Sequence, residues 1–114
     1  MIKRIASRVP RVRVPIKQVA RTLHLCKPLF FALGDGTRQQ IILLLENVDE
    51  CNVSELADKL PLSRPAVSHH LRVLRQSGIV KVKRRGTENY YYLTIDGALT
   101  LLRRFLHEVE NCEG

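Results

Sequence analysis

A chain of 114 residues, 45% apolar, 5% aromatic and without Trp, has room for one domain with a modest core, and no apolar run approaches the roughly 18 residues of a membrane span. The formal net charge of +8 is uneven: residues 1 to 34 carry eight Lys or Arg and no acid, while the rest carry eleven of each sign, so the excess suits a polyanion such as DNA, RNA or an anionic membrane surface. Cys26, Cys51 and Cys112 are odd in number and far apart, which excludes a secreted disulfide framework and favours a reducing, cytoplasmic compartment.

Residues 1 to 15, MIKRIASRVPRVRVP, alternate Arg and Val around two prolines. They are expected to form a basic, extended or disordered arm, either a DNA-binding tail or a solvated extension, and Arg and Pro there argue against a secretory signal. Residues 16 to 112 then read as a single domain. Over 16 to 33 a helical stripe of Ile16, Val19, Ala20 and Leu23 is broken or kinked at Pro28 and resumed by Leu29, Phe30, Ala32 and Leu33. This apolar surface predicts a subunit interface. Asp35 is placed to cap a helix from Thr37 to Asn47, whose run Ile41 to Leu45 is apolar nearly all round and predicts burial on most sides.

Residues 54 to 76 hold two short amphipathic segments about a break at Pro61-Leu62. The first carries Leu56, Ala57 and Leu60 behind a Ser54 cap. The second carries Val67, Leu71 and Leu74 behind a Ser63 cap, has Pro65 in its first turn and is followed by Gly78. Two capped helices across so short a turn predict a helix-turn-helix. The period then changes to two: Ile79 to Arg84 alternates Val with Lys or Arg, Arg85 to Glu88 is the expected turn, and Asn89 to Ile95 returns. Asp96 is expected to cap a last helix to about Asn111 with Leu99, Leu102, Leu106 and Val109 on its apolar face, a second candidate for dimerisation. The fold class is therefore mainly α with a two-stranded β-wing, an α+β winged helix-turn-helix in the order ααααββα.

With Val67, Leu71 and Leu74 inward, the second helix presents Pro65, Ser68, His69, Arg72 and Gln76, and Arg64 and Ala66 reach out from its first turn. A recognition helix meets base edges mainly with its N-terminal residues. Arg64 is suited to a bidentate pair with guanine, Ser68 and His69 to base edges, and Ala66 to a thymine methyl. Arg72 and Arg75 suit phosphates, as does Ser63 at the helix start. Lys83, Arg84 and Arg85 cluster at the hairpin tip and suit the minor groove or the flanking backbone. His70, at the edge of the buried stripe, suits a structural role or a DNA contact. Tyr91 is expected beneath the wing, and Tyr90 or Tyr92 against a phosphate.

These residues carry a family resemblance. LFFALGDGTRQQIILLL resembles the opening of ArsR/SmtB-type repressors, with Gly36 where their Asp-Pro-Thr-Arg motif has Pro. SRPAVSHHLRVLRQSGIV is similar to their recognition helix at Ser63, Ser68, His70, Leu71, Leu74 and Gly78, and the wing is similar at Arg84, Gly86, Tyr91 and Leu93. The resemblance spans about residues 28 to 110. It implies a homodimeric repressor paired through its first and last helices, released from a double-stranded DNA operator by an inducer that the residues do not identify. Where soft-metal sensors of that family carry Cys-x-Cys, this chain has Asn52 and Ser54. Where zinc sensors use Asp-x-His and a distant His, it has Asp96, Ala98 and Val109. A non-standard metal or thiol-redox site would fall to Cys26, Cys51, Cys112, His24 and His107. The leading expectation is a sequence-specific regulator without cofactor or membrane partner. Its alternatives are a metal- or redox-responsive repressor, a non-specific nucleic-acid module driven by the arm, and a protein-interaction module. No phosphate loop, nucleophile elbow or paired carboxylates point to an enzyme.

Overall fold

The computed structural model describes residues 13–113. Among them, six helices accompany one two-stranded sheet: α1 (Ile16–Leu25), α2 (Lys27–Leu33), α3 (Gly36–Asn47), α4 (Val53–Lys59), α5 (Arg64–Gln76), β1 (Val80–Arg85), β2 (Glu88–Leu93) and α6 (Asp96–Glu110). They gather into two compact units. One runs from Pro28 to Ala98, and the other joins residues up to Lys27 to those from Leu99 onward.

The Pro28–Ala98 unit holds the winged helix. The helix expected over 16 to 33 is two helices, so the order has one more helix than ααααββα. The break falls at Cys26, whose amide closes the last turn on Thr22 O and Leu23 O, and not at Pro28. Pro28 is the second residue of α2, where a missing N–H costs nothing. Asp35 caps α3 as expected: its backbone is extended and its carboxylate accepts from Arg38 N at 3.0 Å. Of the run Ile41 to Leu45, only Ile41 and Leu45 are buried, and Leu43 is 68% exposed. The all-round burial predicted for α3 therefore shrinks to one stripe at i and i+4.

The cap of α4 is Asn52, not Ser54. Asn52 Oδ1 accepts from Glu55 N at 2.8 Å and Glu55 Oε1 accepts from Asn52 N at 3.0 Å, a reciprocal box that satisfies two otherwise orphan donors. Ser63 caps α5 as expected, accepting from Ala66 N at 3.3 Å. Val67, Leu71 and Leu74 are buried, joined by Val73, and they face α3, α4 and β1. Gly78 ends the helix at φ +82°, a left-handed conformation open to glycine.

The wing is a tight antiparallel hairpin in which Val82 faces Tyr91 and Arg85 faces Glu88. The turn is thus Gly86-Thr87 alone, two residues shorter than expected, with Gly86 at φ +61° as a two-residue hairpin loop requires. Outside the hairpin, Cys51 and Tyr91 form an isolated antiparallel bridge, with N–O distances of 3.0 and 2.7 Å. The segment before α4 therefore lies along the free edge of β2.

In the other unit, α1 buries Val19 and Thr22, and Cys26 at its C-terminal cap is buried with them. Of the stripe predicted there only Val19 is inside; Ile16 is 63% exposed and Leu23 is exposed. α6 begins at Asp96 itself, and its buried residue is Glu108. Leu106 is 56% exposed, and Leu99, Leu102 and Val109 are half-buried. Glu108 is tolerated inside because Gln18 Nε2 donates to it at 2.7 Å and Arg104 Nε at 3.3 Å. The neighbouring Thr22 hydroxyl, though outside regular hydrogen-bond geometry, leads Gln18 and Arg104 in holding this carboxyl below its usual range. Residues 1–12 of the expected arm lie outside the described residues. Val14, near the arm's end, is buried and bridges Cys112 through Asn111 O and Glu113 N, both at 2.9 Å.

Candidate nucleic-acid interface

Turning Val67, Leu71, Val73 and Leu74 inward leaves the opposite side of α5 to solvent. Ser63, Arg64, His69 and Arg72 are exposed, and Ala66 and Ser68 are half-buried on the same helix. The six predicted helix residues are thus brought together on one element and its cap. Arg72, Arg75, Gln76 and Lys81 line a shallow groove beside Val82, which adds Lys81 of β1 to the basic surface. Such a surface can pair with phosphates through Arg and Lys and with base edges through Arg64, Ser68 and His69.

His70 takes the structural of its two roles. Its side chain is 17% exposed, and Nδ1 lies 3.2 Å from Arg38 Nη1 and 4.0 Å from Asp35 Oδ2. The guanidinium donates, so Nδ1 accepts and the ring proton of the neutral imidazole sits on Nε2. Arg38 is almost wholly buried. It also donates from Nε to Ala32 O at 2.9 Å and from Nη2 to Phe31 O at 2.8 Å, with its guanidinium 5.0 Å from the Phe31 ring centre. One side chain therefore ties the end of α2 and the start of α3 to the reading helix. The hydrogen bond from the Arg38 amide, followed by the Arg38 charge, holds the Asp35 carboxyl below its usual range. Composition and periodicity did not single Arg38 out. Its signal is a cation one turn after a capping aspartate.

The wing has two chemically distinct faces. Strand alternation puts Val80, Val82, Arg84 and Tyr91 on one side and Lys81, Lys83, Arg85, Tyr90 and Tyr92 on the other. Val80 and Tyr91 are buried, as expected of Tyr91. On the other face, Arg85 lies over the Tyr90 ring at 4.2 Å and Lys83 over Tyr92 at 5.5 Å. Because Cys51 pairs with Tyr91, the preceding Glu50 falls on this second face. Its Oε2 meets Lys83 Nζ at 2.8 Å and its Oε1 meets Arg85. The hydrogen bond from Lys83, then the charges of Arg85 and Lys83, depress the Glu50 carboxyl. Two of the three predicted wing cations are thus ion-paired within the chain, an arrangement sequence reasoning missed. Arg84 lies on the opposite face and donates from Nε to Gly86 O at 3.2 Å.

Among the described residues, no three His, Cys, Asp or Glu side chains form a group that could hold a metal ion. Burial pushes the Cys26 and Cys51 thiols up, against the thiolate that soft-metal binding needs. His24 and His107 are exposed and Cys112 is half-buried. No helix of the described residues is long and apolar enough to cross a membrane.

Comparison with known proteins points to one group. Residues 35–82 match the model of the bacterial regulatory protein family arsR. An uncharacterized HTH-type transcriptional regulator of Methanocaldococcus jannaschii is 41% identical over 76 residues, covering 66% of this chain and 84% of that protein. The transcriptional repressor SdpR of Bacillus subtilis is 29% identical over 73% of this chain and 94% of its own. Among solved structures, an ArsR-like transcriptional regulator from Rhodococcus sp. RHA1 superposes with a TM-score of 0.71 at 31% identity, over 79% of this chain and 81% of that one.

Proposed function

The chain belongs to the arsR family and is a DNA-binding transcriptional regulator, and from that premise we propose that it is a homodimeric repressor of an inverted-repeat operator. The observation that carries this reading is the polar, basic face of α5, set opposite a fully buried stripe. Arg64, Ser68 and His69 read base edges, Ala66 meets a thymine methyl, and Ser63 and Arg72 hold phosphates. Arg84 meets the flanking groove from the hairpin tip, with Lys83 and Arg85 beside it and paired to Glu50. The exposed Ile16, Leu23 and Leu25 of α1 and Leu106 of α6 support pairing with a second copy. Two-fold pairing calls for half-sites about 10 to 10.5 base pairs apart.

The test is selection from a randomised duplex pool, followed by gel shift at fixed salt. An inverted repeat is expected to emerge. Arg64→Ala should weaken binding to it by about 1–3 kcal/mol and relax one base position, because a bidentate contact is lost. Leu23→Glu with Leu106→Glu should sediment as a monomer and lose the repeat while keeping its helical spectrum. Equal affinity for selected and random duplexes would refute the reading.

A further inference from the structure

Two cations on the wing are met by a carboxylate that comes from outside the hairpin. Glu50 belongs neither to the reading helix nor to the hairpin. It reaches the wing because the Cys51–Tyr91 bridge lays its segment along β2. Its two carboxylate oxygens are divided between two cations, Oε2 to Lys83 and Oε1 to Arg85. Its side chain is only 16% exposed, while those of Lys83 and Arg85 are half exposed. The cations are further steadied by the Tyr92 and Tyr90 rings beneath them.

Sequence-independent attraction to DNA comes from cations that displace condensed counterions at phosphates. A cation already satisfied by a carboxylate gains little from a phosphate, because one ion pair is exchanged for another. We infer that Glu50 acts as an internal stand-in for a DNA phosphate, holding Lys83 and Arg85 so that the wing adds little non-specific affinity. Glu50 thereby sets how much sequence-independent affinity the wing adds, while the base contacts that distinguish the operator come from α5. Arg84, on the other face, is outside its reach. The inference rests on the proposal that the wing lies against DNA.

The experiment measures affinity for a 30-base-pair duplex of arbitrary sequence and for the selected repeat, by fluorescence anisotropy across a salt series. Glu50→Gln keeps the shape and removes the charge. It should tighten binding to the arbitrary duplex and steepen the slope of log affinity against log salt by about two units per wing, since each new phosphate contact adds about 0.9. Between about 50 and 200 mM salt, the loss of affinity should then grow roughly tenfold per wing. Adding Lys83→Gln and Arg85→Gln to Glu50→Gln should return the slope to the wild-type value. Glu50→Ala, a different way to remove the carboxylate, should repeat the steepening, with thermal melts confirming that each variant folds. An unchanged slope in folded Glu50→Gln and Glu50→Ala would overturn the inference. Arg64→Ala and Arg72→Ala distinguish the two proposals: if they leave affinity for the repeat intact, reading by α5 fails, while the Glu50 slopes still report on the wing.

Discussion

Gly36 shows how much one backbone position can be worth. It is the first residue of α3, its φ is not positive, and a Cβ there would meet no atom within 4 Å. Asp35 before it is extended at φ −121° and ψ 130°, the conformation a following proline demands. Glycine therefore contributes only disorder to the unfolded chain. Gly36→Pro is expected to stabilise by about 0.4–1 kcal/mol, raising Tm by a few degrees in calorimetry. Asp35, Ser63 and Gly78 were legible in the sequence because capping is decided within three or four residues. The α4 cap was misplaced because Asn52 and Ser54 both have capping side chains, and only the reciprocal Glu55 favours Asn52. Glu50 was illegible for another reason: its partners are far along the chain and reach it through a single bridge.

At the scale of elements, α5 and the hairpin were legible because Val67, Leu71 and Leu74 on one and Val80, Val82 and Tyr91 on the other mark their inner faces at different periods. α1 and α6 were not. Their buried positions include Thr22 and Glu108, polar residues that no hydrophobic period can mark, while Ile16, Leu23, Leu25 and Leu106 are exposed. Arg38 is the polar counterpart in the winged-helix unit. Deleting its guanidinium takes this donor from the Ala32 carbonyl and the His70 ring, and leaves the Phe31 carbonyl only the long bond from the Gly34 amide at 3.4 Å. Each buried group left unpaired costs roughly 1–3 kcal/mol. Arg38→Ala is therefore expected to lower stability by about 2 to 4 kcal/mol in urea denaturation, with unchanged m-value. It should also weaken operator binding, because α5 loses its tie to α3. Arg38→Lys should restore little, since an ammonium cannot span three acceptors in a plane.

For the whole molecule, the shifted groups bracket a stability plateau. Asp35, Glu50 and Glu108 titrate below their ordinary values in the folded chain. Their contribution is complete above the ordinary carboxylate range, and it is lost as pH falls through the depressed folded values. Cys26 and Cys51 are raised, so theirs is complete below the ordinary thiol value of 9.0 and lost as pH climbs through the raised values. Melting temperature should be flat through neutrality, falling below about pH 4 and again above about pH 9. A monotonic rise across that range would contradict these assignments. The Cys51–Tyr91 bridge has a kinetic consequence too. The edge of β2 cannot fray without also breaking the two hydrogen bonds that anchor the approach to α4. The edge of the hairpin and the entry to α4 therefore open together, and the Cys51 and Tyr91 amides should exchange their protons with deuterium on the slow timescale of that joint opening.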